Sequence, residues 1–398
     1  MNILYISALS SNELIGQLHS QSGKDPGFAV QKFNRLVVLG LTGNNSKVTV
    51  LSAPPVGRHN SSKAFWCKSK ESEEGITYHY LSFINFPGFR QVCLILGAFF
   101  RALFWCLSKP KAERVIVCDV LNAGLCASAI LACMLTRTQI VGIMTDMPGL
   151  MVRFETNQQM PLMTKMATKL MKWSFNSYNK FVFLTDAMKV VNKNNNPYII
   201  MEGLCGSEMA LRRKVYKNDG IRNIMYAGGL HERYGLKKLT EAFMSIPGEN
   251  LRLNLYGSGP FVEDLKNRYC KEDSRIIYKG VVGNAEVVEA ELSSTLLVNP
   301  RPTDEEFTRY SFPSKNIEYM VSGTPLLTTK LPGMPSEYYP YVYLIEDETT
   351  EGYADAIKHA ITLSDDDLHL KGHNAKSFIL ENKNSYEQAK RILRLIES

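Results

Sequence analysis

The sequence predicts an α/β protein made of two doubly wound domains in tandem. Two observations carry this prediction. Continuous Val/Ile/Leu-rich runs alternate with helix-like segments, and the alternation starts afresh near residue 222. Fully apolar runs of this kind are typical of parallel strands that helices cover on both faces. A chain of 398 residues is long enough for two such domains.

The first series of predicted strands opens with "NILYIS". No basic n-region or small-residue cleavage site accompanies it, so we expect a strand and not a signal peptide. The further strands predicted in this half are 47–53, 76–83, 114–119, 139–146, 180–186 and 197–203. Alternating strands and helices at this spacing predict a domain of the doubly wound type over residues 1–203.

The second series follows a polar, weakly periodic linker at 203–219 and predicts a domain over residues 204–377. Its predicted strands are 222–230, 251–260, 275–282, 294–301, 324–330 and 342–347. Ligands of doubly wound sheets bind outside the carboxyl ends of the strands, at the switch point of the strand order. Two facing domains of this kind would therefore enclose a central cleft.

The distribution of charge and the spacing of the cysteines indicate the kind of partner and the cellular compartment. Residues 1–200 hold 21 Lys and Arg against 10 Asp and Glu, a balance of +11, so the remainder carries −4 of the total of +7. A basic N-terminal half of this kind predicts contact with a polyanion or an anionic surface; the alternative is ordinary variation in surface charge. We expect no nucleic acid as a partner. The eight cysteines lack C-x-x-C spacing, which indicates reduced thiols in a cytoplasmic protein.

Two segments of the basic half bear on membrane contact. Residues 92–107 are apolar except for Arg101 and are short for a membrane span, which predicts a buried or half-buried helix. Residues 160–180 place Lys165, Lys169 and Lys172 near one side of an otherwise apolar helix. The alternatives are a helix packed on the core and a helix lying on anionic lipid. Together with the charge, they favour peripheral contact with the inner face of the plasma membrane.

Four motifs of the second half occur in the order of a known family: "YAGGLHERYGLKKLTEAF", "LNLYGSGP", "IIYKGVV" and "YSFPSKNIEYMVSGTPLLTT". This half resembles the nucleotide-sugar-binding domain of retaining GT-B glycosyltransferases of the group 1 or family-four type. The resemblance implies a GT-B fold, a nucleotide-sugar donor (UDP more commonly than GDP) and transfer with retention and without a metal or other cofactor. Glycines 228, 229, 257 and 259 would let the nucleotide approach the backbone closely, and Val281 falls in the base-contacting segment.

The chain departs from the family at the phosphates, where the family's Arg and Lys fall on Gly229 and Tyr234. Lys315 is the better substitute, because it follows Pro313 and Ser314 at a helix start where backbone amides also bind anions. Arg233 and Arg301 are further candidate cations. The alternative for "FPSK" is plain helix-start chemistry with a solvated lysine.

The family's signature also has two glutamates separated by seven residues. The second is Glu318, which the resemblance implies binds the ribose. The first falls on Tyr310, a real departure, and only Asp304, Glu305 or Glu306 lies near enough in sequence to supply a carboxylate by another path.

In the first half, two aspartates end predicted strands and are the candidate catalytic residues. Asp119 lies beside Cys118 and Asn122, where the family commonly has a histidine, and would orient or deprotonate the acceptor hydroxyl. Asp146 ends the next strand in "TDMPG". A helix cap is the alternative for Asp119, and turn formation is the alternative for Asp146.

These residues and the resemblance together predict a glycosyltransferase of surface polysaccharide biosynthesis that acts on a lipid-linked or saccharide acceptor. The last helix, within 378–398, is expected to pack back onto the first domain. Two alternatives stay open: a nucleotide-sugar epimerase of the same fold, and a non-catalytic binding partner, which the lost glutamate and lost cations favour.

Overall fold

The computed structural model describes residues 1–23, 27–58, 60–67, 70–147, 162–215 and 220–398. It divides into two compact units. The first contains Met1–Leu204 together with Ser385–Ser398, and the second contains Cys205–Asn384. The predicted linker ends in residues 216–219, which lie outside the described residues.

The first unit is built on an eight-stranded sheet. Its strands are β1 (Asn2–Ser7), β2 (Lys47–Ser52), β4 (Lys70–Glu73), β5 (Ile76–Tyr80), β7 (Arg114–Asp119), β8 (Gln139–Met144), β9 (Lys180–Phe183) and β10 (Tyr198–Ile200). Their order is β10-β9-β8-β7-β1-β2-β5-β4, parallel except for the edge strand β4. A separate antiparallel pair consists of β3 (Phe65–Trp66) and β6 (Phe83–Ile84). The strand order reverses between β1 and β7, so the switch point lies at the ends of these two strands.

One strand prediction in this unit is wrong. The predicted strand 76–83 is divided, because the backbone leaves the large sheet after Tyr80 and Phe83 pairs with Trp66 in the small sheet. The alternating pattern of that segment could not show that its apolar side chains serve two different sheets.

Six helices are described in the first unit: α1 (Asn12–Ser22), α2 (Phe28–Gly43), α3 (Phe89–Ser108), α4 (Ala123–Thr136), α5 (Leu162–Phe175) and α11 (Ser385–Glu397). The predicted buried or half-buried helix at 92–107 lies within α3, which is half-buried: one face is buried and the other is exposed to solvent. Of the predicted basic helix 160–180, residues 160–161 and the Lys165 side chain lie outside what the structure describes.

A buried lysine holds the last helix. Lys180 is almost fully buried, and its Nζ donates to the carbonyl oxygens of Leu395 at 2.6 Å and Ile396 at 3.1 Å. These are terminal carbonyls of α11 that have no partner within the helix, and a cation there is favoured by the helix dipole. Contact of α11 with α2 is close, since a Cβ on Gly40 would collide with the backbone of Ser385.

The second unit has a six-stranded, fully parallel sheet. The strands are β11 (Arg222–Gly229), β12 (Leu251–Ser258), β13 (Ile276–Gly280), β14 (Leu296–Asn299), β15 (Leu326–Thr329) and β16 (Tyr343–Ile345). They lie in the order β13-β12-β11-β14-β15-β16. This is the doubly wound order with its switch point between β11 and β14. All six strands predicted for this half are present.

The helices of the second unit are α6 (Leu236–Met244), α7 (Asn284–Ser293), α8 (Ser314–Ser322), α9 (Thr350–Thr362) and α10 (Asp365–Asn382), with a helical stretch at 262–272 that contains the π-helical turn Leu265–Tyr269. The predicted start of a returning C-terminal segment at 378 is corrected to 385. Phe378 and Ile379 belong to α10 and pack in the core of the second unit, so the chain leaves this unit only after Asn384.

Candidate functional site

The ends of β11 and β12 approach each other so closely that only glycine fits. A Cβ on Gly257 would collide with the carbonyl oxygen of Gly228, and Gly257 has a φ of 122° that disfavours other residues. A Cβ on Gly259 would likewise collide with the carbonyl of Leu230. Contact between the two strand ends therefore requires these glycines, and close approach of a nucleotide to this backbone stays a prediction.

Helix α8 is anchored on both sides of the switch point. The Tyr319 hydroxyl accepts from the Ala227 amide of β11 at 2.8 Å and bonds to the Ala227 carbonyl at 3.2 Å. The Asn316 side chain accepts from Asn299 Nδ2 of β14 at 2.7 Å, and both amides are fully buried. These contacts fix where α8 begins. Asn299, Asn316 and Tyr319 are site-shaping residues that sequence reasoning missed, because an interior Asn or Tyr gives no signal of its partner.

Lys315 lies directly over the end of β11. Its Nζ is 2.9 Å from the position that a Cβ would occupy on Gly228, and the Tyr226 hydroxyl is 3.0 Å from the same point. Lys315 and Tyr319 are one helical turn apart and so share a face of α8. The structure therefore brings together the two residues, Gly228 and Lys315, on which the prediction of a phosphate site most depends.

Arg301 follows β14 on the other side of the switch point and is a half-buried cation with an unusual surrounding. Its guanidinium lies over the rings of Tyr234 at 4.8 Å and Phe307 at 5.7 Å. Desolvation lowers its pKa, and the neighbouring charge of Arg233 acts in the same direction. Among the described residues, none supplies a carboxylate that pairs with it. A desolvated cation beside a second cation is costly unless an anion joins them.

The turn that carries Arg301 is held rigidly. The Pro300 carbonyl accepts from the Tyr353 hydroxyl at 2.8 Å, and the Arg301 carbonyl accepts from Thr329 Oγ1 at 2.6 Å. Gly235, with φ 82°, packs so tightly against the Pro300 carbonyl that a Cβ would collide with it. The turn Glu232–Tyr234 and the end of β14 are thereby fixed to each other.

Arg233 and Arg301 share one aromatic support. The Arg233 guanidinium lies 4.7 Å from the ring centre of the buried Phe307 and reaches Glu305 at 3.7 Å. Phe307, which sequence reasoning did not single out, thus holds both guanidinium groups by cation–π contact. Glu305 pairs with Arg233, so we do not assign it as the replacement for the first glutamate of the family signature.

The other predicted donor-site residues differ in exposure. Ser314 is exposed at the first position of α8, and Glu318 is half-buried on the same helix, three residues after Lys315. Tyr310 is half-buried after the turn Glu306–Arg309. Val281 follows β13 and is 73% exposed, so it offers an apolar surface two strands away from Gly228.

No acid stands in the first-glutamate position at Tyr310. Asp304 and Glu306 are exposed nearby. At Gly229, where the family has a cation, the neighbours are the rings of His231 and Tyr234, each with an atom 3.2 Å from the position that a Cβ would occupy there. The structure thus agrees with the departures noted in the sequence. Aromatic rings lie beside Gly229 where the family has a cation, and the cations of this site are Lys315, Arg301 and Arg233.

In the first unit, Asp119 lies at the switch point as predicted, but its side chain is buried. Its Oδ1 accepts from the Leu121 amide at 3.2 Å, and its Oδ2 accepts from Asn122 at 3.3 Å and from Asn34 at 3.4 Å. Burial raises the pKa of Asp119 to about 6. It does not cap α4, because the residue before that helix is Asn122. Its catalytic role stays a prediction.

Asp146 is half-buried and accepts from the Met147 amide at 2.7 Å. Burial raises its pKa. The rest of its motif, from residue 148, lies outside the described residues.

The Asp119 environment predicts a pH-dependent stability. Because the pKa is raised in the folded state, folding favours the protonated form, so stability is greatest below the unfolded pKa near 4 and falls until about pH 6. The difference is roughly 3 kcal/mol, at about 1.4 kcal/mol per pKa unit. In Asp119→Asn this decline between pH 4.5 and 7 should disappear.

Urea unfolding followed by tryptophan fluorescence measures this in the first unit alone, because Trp66, Trp105 and Trp173 all lie there. The exposed Asp186→Asn is the control and should keep the pH slope of the parent. An unchanged slope in Asp119→Asn would show that another group titrates.

Comparison with known proteins decides the class. Residues 221–362 match the family model described as "Glycosyl transferases group 1". The chain is a glycosyltransferase with the GT-B fold. The matched residues contain all four motifs of the sequence analysis. No curated protein sequence matches the chain.

Solved structures of GT-B enzymes match over the full length. The glycosyltransferase resembles the lipopolysaccharide outer core galactosyltransferase WaaB, with 12% identity, TM-score 0.64 and coverage of 100% of this chain and 99% of that one. It resembles HepE from Anabaena in complex with UDP, with 12% identity, TM-score 0.63 and full coverage of both chains. Sucrose-phosphate synthase from Thermosynechococcus elongatus matches with 13% identity, TM-score 0.64 and coverage of 100% and 98%. At such identities the likeness shows the fold.

Proposed function

We propose that the glycosyltransferase moves a sugar from a nucleotide-sugar donor, a UDP-sugar in preference, to a lipid-linked or saccharide acceptor of surface polysaccharide biosynthesis. The observation that carries this proposal is the switch point of the second unit, where Lys315 lies over Gly228 and Arg301 has no carboxylate partner among the described residues. A diphosphate is the ligand that this arrangement fits, since it accepts from backbone amides at a helix start and from cations at once.

Each residue then has a role in binding the donor. The amides at the start of α8, the Lys315 ammonium and the Arg301 guanidinium bind the diphosphate. Glu318 accepts from the ribose hydroxyls, and the exposed Val281 lies against the base. Gly228, Gly229 and Gly257 admit the nucleotide to the backbone. HepE, whose structure was determined with UDP, supports UDP as the nucleotide.

The same cations serve the reaction. When the bond between sugar and phosphate breaks, negative charge develops on the leaving diphosphate, and fixed cations in a desolvated site stabilise that charge without reorganisation. Arg233 adds to the positive potential and is aligned by Phe307 and Glu305. We propose, on the resemblance, that transfer proceeds with retention and without a metal.

Other observations support the proposed acceptor and the proposed cellular location. The match to a lipopolysaccharide outer core galactosyltransferase favours a surface polysaccharide, and the basic first half favours a site in the cytoplasm at the inner face of the plasma membrane. Asp119 and Asp146 are proposed to orient the acceptor hydroxyl.

The test is a thermal shift with UDP, GDP and their sugars, followed by slow donor hydrolysis. We expect stabilisation by UDP and UDP-sugars, and slow release of free sugar in the absence of an acceptor. A shift without hydrolysis or transfer would contradict the proposed reaction, and no shift with any nucleotide would contradict donor binding altogether.

A further inference from the structure

Helix α3 exposes its large apolar side chains and buries its small ones. Six apolar residues spaced three or four apart face solvent and are here called the outward stripe: Phe89, Val92, Leu96, Phe100, Phe104 and Leu107, all more than half exposed. This is the reverse of an ordinary surface helix, in which the apolar stripe faces the core. An exposed aromatic and aliphatic surface of this length marks an interaction site.

The opposite side of α3 is bound to the first unit. Its buried residues are Leu94, Ala98, Ala102 and Cys106, and the small side chains allow close contact with α4. Ser128 Oγ of α4 donates to the Ile95 carbonyl at 2.8 Å, and a Cβ on Gly124 would lie 3.1 Å from Ile95 Cγ1. By length and composition α3 is the one helix among the described residues that could cross a membrane. Its buried side packs against α4.

Neighbouring residues extend the apolar surface. The end of α4 exposes Leu131, Met134 and Leu135, and Met134 and Leu135 are each about two-thirds exposed. Because α3 and α4 pack along each other, both exposed apolar faces belong to one pair of helices.

The two helices of this surface carry only basic charges. Neither α3 nor α4 contains an Asp or Glu. Arg101 is exposed beside the stripe, Lys109 and Lys111 follow the end of α3, and the exposed Arg137 follows α4. The nearest acid along the chain after α3 is Glu113, which Asn2 contacts. Apolar side chains bordered by Lys and Arg are typical of helices that lie in the interface of an anionic bilayer.

We propose that the outward stripe of α3, with the exposed end of α4, seats the first unit on an anionic bilayer surface. The apolar side chains enter the boundary between headgroups and acyl chains, and the bordering cations contact lipid phosphates. The proposed function suggests only why the protein would need this surface, namely to meet a lipid-linked acceptor; the docking itself does not depend on the donor.

A second copy of the chain fits this surface less well than lipid does. A two-fold contact places the same patch of both copies together, so Arg101, Lys109 and Arg137 would be brought towards their own counterparts. Like charges juxtaposed across an interface oppose association, whereas an anionic surface neutralises them.

The experiment is sedimentation of the full chain with phosphatidylglycerol-containing vesicles and with pure phosphatidylcholine vesicles, at low and high salt. The test variant is Phe100→Glu/Phe104→Glu, with the milder Phe100→Ser/Phe104→Ser beside it. The matched control is Leu211→Glu/Leu370→Glu, which changes two exposed apolar residues of the second unit. We expect the parent and the control to bind the anionic vesicles at low salt and the test variant to bind at least about tenfold more weakly.

Three outcomes would overturn the proposal. The parent fails to bind anionic vesicles at low salt, or the test variants bind as the parent does, or the parent is a dimer that the Glu pair converts to a monomer. A UDP thermal shift on each variant separates the two proposals. If the test variants lose vesicle binding and keep the UDP shift, the result supports the docking surface and leaves the proposed function unaffected. If the parent shows no UDP shift, the result contradicts the proposed function and leaves the docking surface unaffected.

Discussion

Replacement of Lys315 by Met is expected to weaken UDP binding by about ten- to a hundredfold and to leave uridine binding nearly unchanged. Methionine keeps an unbranched stem over Gly228 and removes only the ammonium group. A hydrogen bond from a charged donor to phosphate contributes about 1.5–3 kcal/mol, which corresponds to that change in affinity. Titration calorimetry with UDP and with uridine measures both terms.

The matched control is Lys358→Met on α9, which removes an exposed lysine whose partner is Asp355. It should leave both affinities as in the parent. Glu318→Ala provides the complementary pattern, because loss of the ribose contact should weaken UDP and uridine alike. Equal affinity of the parent and Lys315→Met for UDP would remove Lys315 from the phosphate site.

Replacement of Arg301 by Met is expected to abolish measurable sugar transfer without lowering the stability of the free protein. Desolvation lowers the pKa of Arg301, which means that the folded protein without a bound anion disfavours the charged guanidinium. Replacing a buried charge by an apolar side chain of similar length is often neutral or stabilising, although contacts with the Tyr234 and Phe307 rings are lost. We therefore expect an equal or higher Tm, together with loss of the thermal shift by UDP.

Phe307→Leu is the companion of this variant. It removes the ring that supports Arg233 and Arg301 and leaves both charges in place. We expect it to lower stability, because a buried aromatic residue is lost, and to weaken UDP binding less than Arg301→Met does. If the ligand-free Arg301→Met variant were clearly less stable than the ligand-free parent, Arg301 would be a structural cation.

Sequence reasoning succeeded where the physics is local. Continuous apolar runs and the Gly turns located all six strands of the second unit, and "GGL" and "GSGP" marked the carboxyl ends of β11 and β12. The same reasoning assigned both Lys315 and Gly228 to the donor site, and the structure brings the two residues together.

The missing parts depend on long-range contacts. The pairing of Asn299 with Asn316, the bond from Tyr319 to Ala227 and the support of two guanidinium groups by Phe307 join residues that are distant in sequence. The buried Asp119 side chain accepts a hydrogen bond from Asn34, 85 residues away. For α3, hydropathy indicated an apolar helix but could not tell which side faces the core.

Structure determination of the glycosyltransferase with bound UDP tests the central claim most directly. We expect the β-phosphate to accept from Lys315 Nζ and from the Arg301 guanidinium, with Glu318 at the ribose hydroxyls. A diphosphate bound away from both Lys315 and Arg301, or a ribose without contact to Glu318, would contradict the proposed donor site.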